Sequence, residues 1–381
     1  MKIGIDYTSA MWQGAGIGRY TRELVRSVVM LDPNIDYRLF YAARGLDENS
    51  PWVESLRKLC TTFRNVRAVP LPFSPRLLTI LWQRLRIPLP VELYTGPLDL
   101  VHALDFVLPP TFARTMVTIH DLTFLVHPEC AEPALANYLN TAVRRSLKRA
   151  SMVLVDSQAT RADVTRLLGT REDRTRLVYP GVSAAFRPVA YATQMEVRER
   201  LNLPPRFILF VGTLEPRKNL SRLLEAFDHL IAHGAHPGLH LVIAGKPGWR
   251  YEPIYETYQR LGLGERVKFL DFVADEDLPA LYNLASVFVY PSIYEGFGLP
   301  VLEALACGAP VVTSNVSSIP EVTGSAAILV DPHQIESISA GISRALGEIE
   351  HLRLGGPLQA RRFSWEDSAR ELLACYREFM A

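Results

Sequence analysis

The chain has 381 residues, 48% hydrophobic and 21% charged, a normal soluble balance in a chain too long for one core of ordinary size. Its formal net charge is +1, so no global field attracts nucleic acid. No apolar run reaches the ~18–20 residues of a spanning helix, and the four cysteines (Cys60, Cys130, Cys307, Cys375) show no zinc or C-x-x-C spacing, which fits a reduced, cytoplasmic protein.

Residues 2–6 read directly as a strand, so no signal peptide is expected. Short apolar runs at 37–41, 100–103, 116–120 and 152–156 continue a first series of strands, with helical stretches at 18–30 and 136–149 between them. The segment 73–90 carries Arg76, Arg84 and Arg86 among Leu77, Leu78, Ile80, Leu81, Trp82 and Leu85, with no acid. That pattern suits a membrane-surface helix and a half-buried helix equally. Residues 1–185 hold 23 Lys+Arg against 17 Asp+Glu, a balance of +6, and the remainder holds 18 against 23, a balance of −5. With a mean hydropathy of +0.08, the composition leaves room for peripheral contact with the inner face of a membrane or with a lipid-linked partner, although ordinary scatter gives the same asymmetry.

The series breaks at 182–205, where Pro180, Gly181, Pro188, Pro204 and Pro205 surround a short helix at 193–201. An interdomain linker is placed there, dividing the chain into domains 1–185 and 186–364. A second series of strands follows at 207–212, 240–244, 267–270, 287–290 and 310–314, with helices at 219–232, 278–284 and 301–306, and an amphipathic helix closes the chain over 361–381. Strands apolar on both faces, alternating with helices, specify an α/β fold of two doubly wound parallel sheets facing across a cleft. Ligands in such sheets sit at the carboxyl ends of the strands.

The most informative stretch follows the strand 287–290. Glu295-Gly-Phe-Gly-Leu-Pro-Val-Leu-Glu303 places two glycines before a helix that opens with Pro300 near its first position. Gly296 and Gly298 allow close backbone approach, and the N–H groups of the first helical turn form a diphosphate site. Glu295 and Glu303 are acceptors suited to the hydroxyls of a sugar and a ribose. Earlier, the strand 207–212 leads into Thr213-Leu-Glu-Pro-Arg217-Lys218-Asn219, two cations that can neutralise a leaving diphosphate. Asp275-Glu276-Asp277 is a D-x-D string before a helix, read as an N-cap rather than a metal site.

The segment Glu295–Glu303 with Ala304-Leu-Ala-Cys-Gly308-x-Pro310-Val-Val resembles the E-x7-E motif of the retaining glycosyltransferase family 4, whose fold is GT-B, and the resemblance runs over nearly the whole chain. It implies a retaining, metal-independent transferase with no cofactor beyond its substrate nucleotide sugar. By it, Glu295 holds the donor sugar, the backbone of Gly296, Phe297, Gly298 and Leu299 meets sugar and diphosphate, and Glu303 binds the ribose. Lys218 faces the diphosphate, and Arg217 lies beside it. Thr213 stands where the family commonly carries an arginine. The loop at Phe272 and Val273 presents backbone to the base. His120, with Asp121 after it, contacts the sugar from the first domain, and Gly16 of Gln13-Gly-Ala-Gly-Ile-Gly18 closes over the donor phosphate. The spacing G-x-G-x-G disfavours dinucleotide binding. The last helix, 365–381, crosses back onto the first domain. The G-T-L-E-P-R-K-N form is similar to that of bacterial polysaccharide mannosyltransferases, so GDP-mannose is the expected donor and a glycan or lipid-linked acceptor the partner. UDP-glucose, UDP-N-acetylglucosamine and a nucleotide-sugar epimerase are the alternatives.

Overall fold

A computed structural model of the chain describes residues 1–14, 16–232 and 236–380, the side chain of Met380 excepted. It divides into two units, Met1–Gly181 with the C-terminal segment from Ser364, and Val182–Phe363. The divisions therefore fall at Gly181 and Phe363, and the helix Tyr191–Arg200, expected inside a linker, belongs to the second unit. The outgoing and returning passages lie side by side. Val182 N–H donates to the Phe363 carbonyl at 3.1 Å, and a Cβ on Gly181 would fall 2.1 Å from the Trp365 nitrogen.

Unit 1 holds seven parallel strands: β1 (Lys2–Asp6), β2 (Asp36–Ala42), β3 (Val66–Leu71), β4 (Leu100–Ala103), β5 (Arg114–Ile119), β6 (Met152–Val155) and β7 (Thr175–Leu177), in the order β3-β2-β1-β4-β5-β6-β7. Unit 2 holds six: β8 (Phe207–Val211), β9 (His240–Ala244), β10 (Val267–Phe269), β11 (Val287–Tyr290), β12 (Val311–Ser314) and β13 (Ile328–Val330), in the order β10-β9-β8-β11-β12-β13. Every pairing is parallel. The strand order reverses between β1 and β4 and between β8 and β11, the switch points where ligands of such sheets bind. LVHA, MVLV, VFVY and VVTS (β4, β6, β11 and β12) are buried at every position, because helices cover both faces.

Sequence reading misses β3, β7 and β13. All three are terminal in their sheets, and β7 and β13 span only three residues each. In β3, Pro70 and the exposed Arg67 break the apolar pattern, and an edge strand tolerates the missing N–H of proline.

The C-terminal helix begins at Trp365, the start expected for the last helix and four residues inside the broader 361–381 segment, and runs to Met380; Ala381 lies outside the described residues. Ser364 Oγ caps it, accepting from Asp367 N–H at 3.0 Å. Tyr376 anchors it to the sheet of unit 1. Its hydroxyl lies 2.8 Å from His102 Nδ1, and His102 Nε2 lies 3.0 Å from Thr118 Oγ1. Burial pushes His102 down to about 3, so this imidazole is neutral. Arg377 adds an ion pair to Asp32 at 2.7 Å.

Residues 73–90 do not form one helix. A short α-helical turn, Pro75–Leu78, widens into a π-helical stretch, Thr79–Arg84. Arg86 then takes a left-handed φ of 57°, and Pro88 and Pro90 follow. Leu78 and Trp82 pack on a cluster with Phe40, Val91 and Val101, so one side of the segment is buried.

Candidate active site

In unit 2, cations from the loop after β8 meet a carboxylate from the loop after β11. The chain leaves β8 into a 3-10 turn, Pro216–Lys218, and Asn219 ends it with a left-handed φ of 62°. The Asn219 amide donates to the carbonyls of Pro291 (3.0 Å) and Pro332 (2.6 Å), and Ile293 N–H donates to the Arg217 carbonyl at 2.9 Å. These bonds tie the loop after β8 to the loop after β11 and to Pro332 beyond β13. Lys218 Nζ lies 2.7 Å from Glu295 Oε1 and donates to the Tyr290 hydroxyl. Arg217 reaches Glu295 Oε2 at 2.7 Å with Nη1, and its Nη2 donates to Glu215 Oε1, also at 2.7 Å.

Glu295 is 6% exposed and Lys218 8%. Burial alone would raise the Glu295 pKa. Arg217 and Lys218 more than reverse that and hold it at about 2. Lys218 is pushed below its ordinary value by burial and by Arg217, against the pull of Glu295 and Glu215. Two cations and two carboxylates thus form a buried, neutral network, in which removal of one member strands its partner.

The backbone beyond Glu295 is held in place. Glu295 N–H donates to Ser317 Oγ at 3.0 Å, and Ser318 Oγ lies 3.0 and 2.9 Å from the carbonyl oxygens of Glu295 and Phe297. Gly298 has φ 105°, a conformation L side chains rarely adopt, and a Cβ there would also meet Ile319 Cδ1 at 2.7 Å, so a substitution is strained. Gly298 is the N-cap of the helix Leu299–Ala306 and supplies no side-chain acceptor. Pro300 has no N–H, and the N–H groups of Val301 and Leu302 donate to the Gly298 carbonyl at 3.0 and 3.2 Å, so the turn offers an anion the Leu299 N–H and the positive end of the helix dipole. Gly296 is buried, Leu299 is half-buried, and the Phe297 ring packs edge-on against Phe363 at 5.6 Å, which leaves its backbone as the part that can meet a ligand. Glu303, 5% exposed, accepts from the Tyr282 hydroxyl at 3.2 Å. Thr213 is exposed, and Val273 is buried in the loop after β10, beside an exposed Phe272 whose ring carries the Lys246 ammonium at 4.7 Å.

In unit 1, His120 follows β5 directly. Its Nδ1 lies 2.6 Å from Asp156 Oδ2, and its Nε2 lies 2.7 Å from the Leu104 carbonyl. Burial raises the Asp156 pKa against the pull of His120; with Asp156 ionised both acceptors take an N–H, and the ring is an imidazolium. Burial lowers its pKa, but Asp156 outweighs burial, with help from Asp105 and the Leu104 carbonyl, and raises it to about 9. Tyr20 and Phe106 enclose the ring edge-on at 4.8 and 5.5 Å. Asp121 Oδ1 accepts from Thr123 N–H at 2.8 Å and so orients its own loop. Asp6, at the end of β1, is raised by burial to about 6. Gly16 is the N-cap of the helix Ile17–Leu31, with φ 57° and ψ −122°, a conformation that L side chains avoid.

The D-x-D string does not cap its helix through a side chain. Asp277 occupies the N-cap position, yet its carboxylate takes two bonds of 2.6 Å from Arg200, because a charged fork outcompetes a neutral cap. Among the described residues, no group of three or more His, Cys, Asp or Glu is placed to hold a metal.

Two sequence families match the two halves: Glycosyltransferase Family 4 over residues 14–186 and Glycosyl transferases group 1 over residues 193–353. The O-antigen chain mannosyltransferase B of Escherichia coli is 32% identical over 99% of this chain and 100% of its own length. The chain is a family 4 glycosyltransferase. Its structure matches that of sucrose-phosphate synthase from Thermosynechococcus elongatus, with a TM-score of 0.77 and 22% identity over 100% of this chain and 99% of that one. HepE of Anabaena, solved with UDP and glucose, matches with a TM-score of 0.74 and 19% identity over 99% and 100%. These neighbours and the two parallel-sheet units establish the GT-B fold.

In this glycosyltransferase, unit 2 brings Arg217, Lys218 and Glu295 into direct contact, while His120 and Gly16 lie in unit 1. Sequence reading did not find Glu215, Tyr290 or Asp156 as partners. Glu215 stands two residues from Arg217 and was legible as a neighbour, but nothing local marks Asp156, 36 positions beyond His120.

The His120–Asp156 pair has a measurable consequence. The folded-state pKa is raised from 6.5 to about 9, so its stabilisation is complete below about 6.5 and is lost as pH rises through about 9. That interval corresponds to roughly 3 kcal/mol. Melting temperatures measured across this range should fall in the wild type and follow a flatter course in Asp156→Asn. An equal alkaline slope in both proteins would remove the imidazolium assignment.

Proposed function

We propose that this glycosyltransferase is a cytoplasmic, retaining mannosyltransferase that moves mannose from GDP-mannose to a glycan or lipid-linked acceptor, without an essential metal. Full-length likeness to an O-antigen chain mannosyltransferase is the observation that carries the choice of sugar. The donor lies along the carboxyl ends of β8 and β11. Glu295 and the backbone from Gly296 to Leu299 hold the sugar and diphosphate, Glu303 takes the ribose hydroxyls, and the loop at Val273 faces the base. Lys218, Arg217 and the first turn of the helix Leu299–Ala306 take up the charge that develops on the leaving diphosphate.

The clamp on Glu295 supports a mechanism without an enzyme nucleophile. A carboxylate with both oxygens ion-paired and a pKa of about 2 is a weak base and a poor nucleophile. It is suited to accepting hydrogen bonds from sugar hydroxyls. The departing diphosphate itself then takes the acceptor proton, and the acceptor enters on the face the diphosphate leaves, which retains the configuration. His120 has both nitrogens engaged and is protonated below about pH 9, so it acts by position and charge rather than as a base.

The donor is tested by incubating the protein with a short mannose-terminated oligosaccharide and, separately, GDP-mannose, UDP-glucose or UDP-N-acetylglucosamine. Product is expected from GDP-mannose alone. Turnover of a UDP sugar in its place would overturn the mannose reading and leave the site assignment standing.

A further inference from the structure

The helix Ile349–Ala360 of unit 2 carries apolar residues on two opposite faces. Its inner face is spaced i, i+4, i+8. Leu352, Gly356 and Ala360 are buried there, and a Cβ on Gly356 would fall 2.8 Å from the Leu305 carbonyl oxygen. At about 100° per residue, Leu354 and Leu358 point the other way. They are 74% and 64% exposed and stand one turn apart on a single face. Beside them runs a groove of ≈ 310 Å³, lined by Gly355 and Leu358 on the helix and by Ser325 and Ala326 in the loop before β13. A Cβ on Gly355 would meet Ala326 at an ordinary contact distance of 3.8 Å, so packing within this chain does not require glycine there. Glycine weakens a helix, and its effect here is to keep the groove open next to the two leucines.

The two ends of this face carry charge of opposite sign. Glu350 stands in the first turn of the helix. Arg361 and Arg362 follow its last turn and extend it, their N–H groups donating to the carbonyls of Pro357 (3.3 Å) and Gln359 (3.1 Å). All three are exposed, and none makes an ion pair among the described residues. The other charges of the helix are engaged within the chain. Glu348 pairs with Arg344 at 2.8 Å, and Arg353 donates to the Ala285 carbonyl at 3.5 Å. The face is therefore complementary to itself. A second copy laid against it antiparallel, about a two-fold axis at Gly356, sets Leu354 on Leu358 of that copy and Glu350 on Arg362, each contact made twice by symmetry. Leu354 also enters the groove beside the facing Leu358. The exposed His351 meets Arg361, whose guanidinium can donate to a ring nitrogen.

We propose that the chain pairs with a second copy of itself through this face of unit 2, as an antiparallel two-fold helix pair centred on Gly356. A parallel pairing is disfavoured, because it sets Glu350 against Glu350 and the arginines against each other. Two leucines and one groove from each copy make a small interface, so the association is transient, with a dissociation constant in the micromolar range. The inference is independent of the sugar and of the mechanism, because association is read without turnover.

Sedimentation of the full chain over the micromolar range, up to about 100 µM, tests it. The sedimentation coefficient should rise with concentration from that of a monomer toward that of a dimer. Leu354→Ser or Leu358→Ser should weaken association by about tenfold or more, since each leucine is lost twice in the dimer. Glu350→Arg should weaken it about fivefold. Adding Arg362→Glu to that variant should restore it, because the charges are then exchanged rather than lost. All of these variants should keep the wild-type melting temperature, since the altered side chains are exposed. A monomer at every concentration, a dimer indifferent to both leucine substitutions, or a double variant no better than Glu350→Arg alone would overturn the proposal.

Discussion

Glu295→Gln is expected to lower turnover by about 10²–10³-fold. The carboxamide keeps the shape of the side chain but accepts more weakly from sugar hydroxyls and no longer balances its two cations. The same substitution has a structural cost. Arg217 and Lys218 would be left buried without the carboxylate that pairs with both, Glu215 remaining on Arg217, and breaking a buried pair costs about 3–5 kcal/mol. Lower turnover could then be read as unfolding. Turnover measured well below the melting temperature of Glu295→Gln separates the two effects, and the double variant Glu295→Gln with Lys218→Met checks the structural cost alone. It removes one charge of each sign, so the melting temperature should recover toward that of the wild type while turnover stays low. Near-wild-type turnover in Glu295→Gln, with melting temperature reduced or not, would sink the assignment.

Lys218→Met is the second large effect. Methionine fills the space of the lysine stem against Tyr290, whose ring centroid lies 4.9 Å from the ammonium. Glu295 keeps one cation, Arg217, so the fold should survive. On the proposed mechanism, what is lost is a positive charge where the diphosphate becomes more negative as the sugar departs. Only interactions that strengthen in the transition state raise the rate constant. Turnover should therefore fall about 10²–10³-fold, while donor affinity changes much less, because Arg217 and the positive end of the helix Leu299–Ala306 remain to hold the bound diphosphate. Lys218→Arg should not rescue it, since a planar guanidinium does not replace a compact ammonium packed in a buried site. A loss confined to donor affinity, with unchanged turnover at saturation, would assign Lys218 to ground-state binding alone.

How much of this was legible beforehand depended on whether the signal was local. Buried parallel strands announce themselves as short continuous apolar runs, and β1, β4, β6, β8 and β11 were readable for that reason. Edge strands such as β3 and β7 bury less and carry polar or proline positions, so their pairing partners, not their own residues, define them. The helix expected over 73–90 failed differently. Its apolar content was read correctly, but the sequence does not reveal a π-helical widening at Thr79–Arg84 or the left-handed turn at Arg86.

The candidate site shows the same division. Glu295, Gly298 and Glu303 stand in one contiguous motif, and Lys218 in another. The sequence did not show that Arg217 is held by Glu215 and Glu295 together, or that both nitrogens of His120 are engaged. Those contacts join loops from different strands, and only the sheet order brings them together. They also change the chemistry. Glu295 emerges as one corner of a neutral buried network, and His120 as a fixed cation.

The most direct measurement is NMR of the linkage formed from GDP-mannose and the oligosaccharide acceptor. GDP-mannose carries an α-linked sugar, so the proposed transfer with retention, with Glu295 holding the donor sugar, gives an α-mannoside. A β-mannoside would contradict front-face transfer and require a base that the site, with Glu295 ion-paired on both oxygens, does not supply there.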